Sequence, residues 1–143
     1  MNRIVSAENR LREASDLPAV LDAAYNAFED MLAVFGAYED PADGTFAAFV
    51  MSAASAADGR DAILFAPSLP PHRLGGPPAP EGDAQPGDSA YQAARALAGL
   101  TRLLAARLAQ AAGSAPDARD RAACADAWRA ARYVHVLLTG AEP

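Results

Sequence analysis

Apolar residues recur along residues 17–38 in alternating steps of four and three: Leu17, Leu21, Ala24, Phe28, Met31, Phe35 and Tyr38. That is a heptad seam over three repeats, and it predicts a helix from about 17 to 38. Val20, Ala27 and Val34 widen the seam on one side, while Asp22, Asn26, Glu29 and Asp30 are expected to face away. Asp16 is placed to cap the helix, with Pro18 in the first turn, where a missing N–H costs nothing. A thinner pattern precedes it over residues 3–14. Only Ile4, Val5 and Leu11 offer apolar surface there, so this segment is expected to fray or to dock on a partner, with Glu8 and Arg12 as a weak i,i+4 pair.

The stretch "DPAD" restarts the chain. Asp40 reads as a cap, Pro41 as the first helical residue and Asp43 as its capping-box mate. Phe46, Phe49, Val50, Ala53 and Ala57 are expected on the core face of this helix. Gly59 reads as its left-handed stop. A short turn, "AILF", then plugs one end of the core. Residues 65–88 hold most of the chain's prolines. They predict a long crossover (67–88), ordered over 66–74 through Leu69 and Leu74, with a mobile tip at 75–87. A polyproline-like recognition peptide is the alternative for that stretch.

Past the crossover, Asp88 or Ser89 can cap a helix to about residue 111, striped by Leu97, Leu100, Leu103, Leu104 and Leu108. Ser114 with Asp117 reads as a second capping box, with Pro116 in the first turn of a last helix that stops at Gly140. No segment alternates at period two. The expected fold is all-α: a single helical domain over residues 1–143, with four main helices in an antiparallel bundle and the Pro/Gly-rich crossover between the second and third of the four. All five phenylalanines lie within 28–65, so the first half supplies bulk and the second supplies Leu and Ala.

Composition thins that core. Hydrophobic residues are 52% of the chain, but 38 of the 143 residues are alanine. Alanine favours helix and buries little area, so thin faces favour self-association. Charge divides along the chain. Residues 1–66 carry eleven acids and four arginines, and residues 89–143 carry four acids and seven arginines. Two readings follow: the halves dock electrostatically within one chain, or they make contacts between chains, either head-to-tail with another copy or with an acidic partner of the C-terminal half. A net charge of −6 with no basic run argues against nucleic acid and anionic membrane as partners. No apolar run approaches a membrane span and the N-terminus lacks a signal-peptide core, so a cytoplasmic location is expected.

Catalytic supply is poor. There are two histidines (His72 and His135) and one cysteine, Cys124, which is expected to be a small core residue. No motif for a di-iron bundle, zinc protease, nucleotide loop or serine hydrolase is present, and no cofactor is expected. The acidic cluster Glu39, Asp40 and Asp43 lacks calcium-loop spacing, so no metal is expected either.

The richest constellation lies on the last helix, where Asp117, Arg121, Cys124, Trp128, Arg132 and His135 share one strip at 100° per residue. Trp128 with Arg132 can stack, and Arg132 with His135 can hold an anion or a partner's carboxylate. The plainer reading makes this strip the rim of the core, with Asp117 and Arg121 an ordinary pair. Arg107, inside the leucine stripe, is expected to snorkel or to meet an acid of the N-terminal half.

Two functions follow. The first is a non-enzymatic helical module, a homo-oligomer or a binder of another protein. The alternative is a small anionic-ligand binder or modest enzyme with a pocket around Trp128, Arg132 and His135, bordered by Arg121 and Arg107.

Overall fold

A computed structural model describes residues 2–38, 46–71 and 89–143. They form five helices: α1 (Asn2–Glu13), α2 (Leu17–Gly36), α3 (Phe46–Leu64), α4 (Ala90–Ser114) and α5 (Ala118–Thr139). Among the described residues there is no strand. α4 packs on α5, α5 on α3, α3 on α2, and α1 lies against both α2 and α4.

The heptad seam of α2 is the spine of the core. Leu21, Ala24, Ala27, Phe28, Met31, Val34 and Phe35 are buried inside the chain's own fold. Asp16 caps the helix by accepting from the Ala19 N–H at 2.9 Å. Each large side chain so buried stabilises by roughly 1.5–3 kcal/mol, which is why the bulk contributed by this half matters against alanine-rich neighbours. α4 answers with Leu97, Leu100, Leu104 and Leu108, all buried, while Leu103 sits at the margin. Ser89 closes its start with a complete capping box to Gln92.

Several expectations change. Asp30 does not face away. It is buried between α1 and α2, where Arg3 donates to its Oδ1 at 3.0 Å and Arg10 to its Oδ2 at 2.5 Å. Burial pushes its carboxyl above the usual range, against the lowering pull of both guanidiniums. α1 accordingly docks on its own chain, burying Ile4, Ala7 and Leu11, while Val5 points outward. Three small contacts and one shared carboxylate outweigh its weak apolar pattern.

α3 is rotated from its expected register. Phe49, Ser52, Ala56, Gly59 and Ile63 face inward, and Val50 is exposed. Gly59 is no stop: the helix runs through it to Leu64. A methyl group there would come within 2.5 Å of Phe28 Cε1, nearer still to Cζ, and within 3.0 Å of the Ala130 methyl. The glycine is the notch into which the Phe28 ring fits. Of the "AILF" residues only Ile63 enters the core, and Phe65 is 81% exposed.

The α4–α5 connection also differs. α4 continues through Ser114, whose hydroxyl donates to the Gln110 carbonyl, so Ser114 is not a cap. Asp117 is the N-cap of α5, accepting from the Arg119 and Asp120 N–H groups, which hold its carboxyl below the usual range. Pro116 precedes that cap. Gly140 ends α5 in the left-handed conformation at φ +75°.

The residues just past α3 are anchored: Ala66 and Leu69 are buried, and buried Asp120 accepts from the Ser68 N–H at 3.0 Å and hydroxyl at 2.6 Å. Leu74, the tip at 75–87, His72, Asp88 and the expected cap at Asp40, Pro41 and Asp43 lie outside the described residues.

The ion pairs between described residues each join two residues of one half. Arg3 and Arg10 meet Asp30, Arg12 meets Glu8, and Arg60 meets Glu29 and Asp61. Arg119 meets Asp117, Arg129 meets Asp126, and Arg132 meets Glu142. Apolar packing and hydrogen bonds such as that from Arg107 to the Ala14 carbonyl, not these ion pairs, join the halves.

Candidate functional site

The strip on α5 separates into an inner and an outer edge. His135 belongs to the inner edge, at 2% exposure. Its Nδ1 lies 3.0 Å from Thr101 Oγ1 and 3.2 Å from the Ala98 carbonyl, both on α4. The Thr101 hydroxyl also lies 3.0 Å from the Ala98 carbonyl, so imidazole, hydroxyl and carbonyl form one buried hydrogen-bonded cluster. His135 is a polar tie between two helices. Cys124 is likewise buried, and burial first, with the nearby Asp120 charge second, pushes its thiol up to about 11. A thiol held neutral is a packing group and a poor nucleophile.

Trp128 and Arg132 form the outer edge. The Arg132 guanidinium carbon lies 4.8 Å from the Trp128 ring centroid, a cation–π contact. Together they wall an open groove of about 450 Å³ between α4 and α5. Ala105, Ala106 and Ala109 line the α4 side, with Arg102 at the rim. Glu142 completes the groove: its Oε2 accepts from Arg132 Nε at 3.1 Å and from a terminal nitrogen at 2.5 Å. The turn that brings it there is local. Gly140 reverses the backbone, and Thr139 Oγ1 accepts from the Ala141 N–H at 3.1 Å while donating to the His135 carbonyl.

Arg121 and Arg107 lie elsewhere. Arg121 donates to the Ala115 and Pro116 carbonyls, at 2.9 and 2.7 Å, and so ties the end of α4 to the start of α5. It does not form the expected pair with Asp117. Arg107 reaches the N-terminal half, but it finds the Ala14 carbonyl just beyond α1 and the Gln110 side chain, not an acid. It lines a second groove with Asp16, Leu17 and Gln110. Both arginines satisfy carbonyls left open at helix ends. Of the five residues singled out from the sequence, the structure brings Trp128 and Arg132 together.

Arg102 and Glu142 were not visible as site residues. Gly140 two positions before Glu142 was the available signal, since a left-handed cap folds the next residues back over the helix. Arg102 needed the packing of α4 on α5 to be known. Among the described residues no three His, Cys, Asp or Glu side chains converge as a metal site would require, and the cluster at Glu39, Asp40 and Asp43 lies outside them. Among the described residues no helix is long and apolar enough to cross a membrane. No family model, curated protein or solved structure matches this chain.

Proposed function

We propose that the chain is a non-enzymatic helical interaction module that self-associates, an antiparallel bundle of α2 to α5 in one domain with residues 67–88 as the crossover. The observation that carries this reading is the outward face of α3. Val50 is 53% exposed and Met51 48%, with Ala47 and Ala54 exposed beside them, and Leu64 and Phe65 extend the apolar surface at the far end. Over residues 46–57 every position of α3 is apolar or serine, and a helical stretch of that kind is normally covered on every side. The α2 seam, in contrast, is used up within the chain.

Charge selects a second copy as the cover. Asp58 and Asp61 are exposed on α3, while Arg95 and Arg119 are exposed on the other half. In a twofold dimer each acidic half meets a basic half, and the contact is made twice. The proposed module acts without a cofactor, nucleic acid or membrane, in the cytoplasm.

Sedimentation equilibrium of the full chain from 1 to 200 µM tests this. A mass rising to twice 14.8 kDa, and held at one chain by Met51→Glu with unchanged circular dichroism, is the expected result. A single-chain mass throughout would overturn it. The second reading, an anion-binding site at Trp128 and Arg132, is favoured by one specific observation: Glu142 already sits there.

A further inference from the structure

The α4–α5 groove holds a carboxylate of its own chain, and the way it is held is informative. Arg132 spends two nitrogens on one oxygen of Glu142. The geometry a guanidinium favours is a fork matched by both carboxylate oxygens. The pair is also accessible to water: Glu142 is 65% exposed and Arg132 36%. Exposed pairs of this kind are weak and readily exchanged. At the rim, exposed Arg102 has no hydrogen-bond or ion-pair partner among the described residues. Between the two arginines the α4 wall consists of alanine methyls, so an extended backbone can approach closely. Trp128 adds an apolar platform already ordered by Arg132 above it. Pro143 lines the same groove beside Glu142.

We propose that this groove receives an acidic segment of a partner polypeptide, and that Glu142 is an intramolecular surrogate displaced when the partner's carboxylates engage Arg132 and Arg102. The proposal rests on the reading of the chain as an interaction module and names the chemistry of a partner at a surface separate from α3. The occupant is a polypeptide because the groove is open and its two cations stand on different helices. A single carboxylate engages one guanidinium, whereas a segment carrying acids on either side of a small or proline residue can engage both and cover Trp128. The carboxylate the chain itself places there sets the sign of the occupant's charge.

Trp128 is the only tryptophan, so its emission reports on this groove alone. The probe is the acetylated and amidated peptide Glu-Pro-Ala-Glu, titrated into full-length wild type and Glu142→Gln. Gln-Pro-Ala-Gln and succinate are run beside it. The expected result is a saturable emission change in Glu142→Gln, about fivefold weaker in wild type because the tethered Glu142 competes. Adding Arg132→Ala should abolish it, and Arg102→Ala should weaken it several-fold. Both positions are solvent-accessible, and circular dichroism verifies the fold. No saturable change in Glu142→Gln, equal binding of the neutral peptide, or succinate binding as tightly as the peptide would each overturn the proposal. Equal affinity in wild type and Glu142→Gln would overturn the surrogate role. Sedimentation of the same samples reads self-association separately, so either conclusion can fail alone.

Discussion

Gly59 offers the sharpest test of how the core is assembled. In the interior of an exposed helix, Gly→Ala stabilises by about 1 kcal/mol, because alanine loses less backbone freedom on folding. At position 59 the new methyl would stand 2.5 Å from Phe28 Cε1 and 3.0 Å from the Ala130 methyl. The Phe28 ring is fully buried, so it can yield only by displacing the side chains packed around it. Overpacking of this kind costs about 1–3 kcal/mol, and a contact this close on a trapped ring belongs near the upper end.

Gly59→Ala is therefore expected to destabilise by about 1–2 kcal/mol net, the opposite sign to the propensity effect. Phe28→Leu removes the three outermost ring atoms, including both that crowd position 59. In that background Gly59→Ala is expected to recover its propensity gain and to stabilise by about 1 kcal/mol. The coupling between the two sites is then about 2–3 kcal/mol, well beyond the scatter of independent sites. Urea unfolding followed at 222 nm for the four members of the cycle measures it, with m-values checked for constancy. A stabilising Gly59→Ala in the wild-type background, or additivity within about 0.5 kcal/mol, would refute the notch.

Two further outcomes follow from buried polar groups. Asp30→Ala removes the buried carboxylate that Arg3 and Arg10 share and should destabilise by about 1–3 kcal/mol in the same urea assay; a loss below about 0.5 kcal/mol would show that α1 is held by its apolar contacts alone. Cys124 should resist Ellman's reagent at pH 8 until the protein unfolds, since its thiol is pushed up to about 11. The folded chain binds that proton more tightly than the unfolded one, so its contribution is full below about pH 9 and fades as pH rises towards 11. Two units correspond to about 2.7 kcal/mol at most, and Cys124→Ala should lack this share of the alkaline loss of stability.

Much of the fold lay open in the pattern of residues. The α2 seam, the leucine stripe of α4, the caps at Asp16 and Ser89 and the stop at Gly140 are local signals, each written within one or two helical turns. They determined the all-helical character of the described residues and several of the helix boundaries. Local patterns lose their authority where a residue serves a partner distant in sequence. Asp30 looked like a solvent-facing acid because nothing near it is basic; only the docking of α1 brings Arg3 and Arg10 to it. Gly59 followed by a polar pair resembled a helix end, and only the Phe28 ring, 31 residues earlier, shows that it is an interior notch. The inward face of α3 is not legible in the sequence because its first three turns are apolar or small on every side and carry no preferred direction.

The same division separates the candidate site. Trp128 and Arg132 are one turn apart, and their stacking is a helical spacing that any reader of the sequence can find. His135 shares that spacing, yet Thr101 on α4 draws it inward. Arg102, on α4, joins the groove only because α4 and α5 pack side by side. Sequence alone determined which residues share a helix face; tertiary packing decided which face is inside, because burial depends on the surface that arrives from elsewhere in the chain.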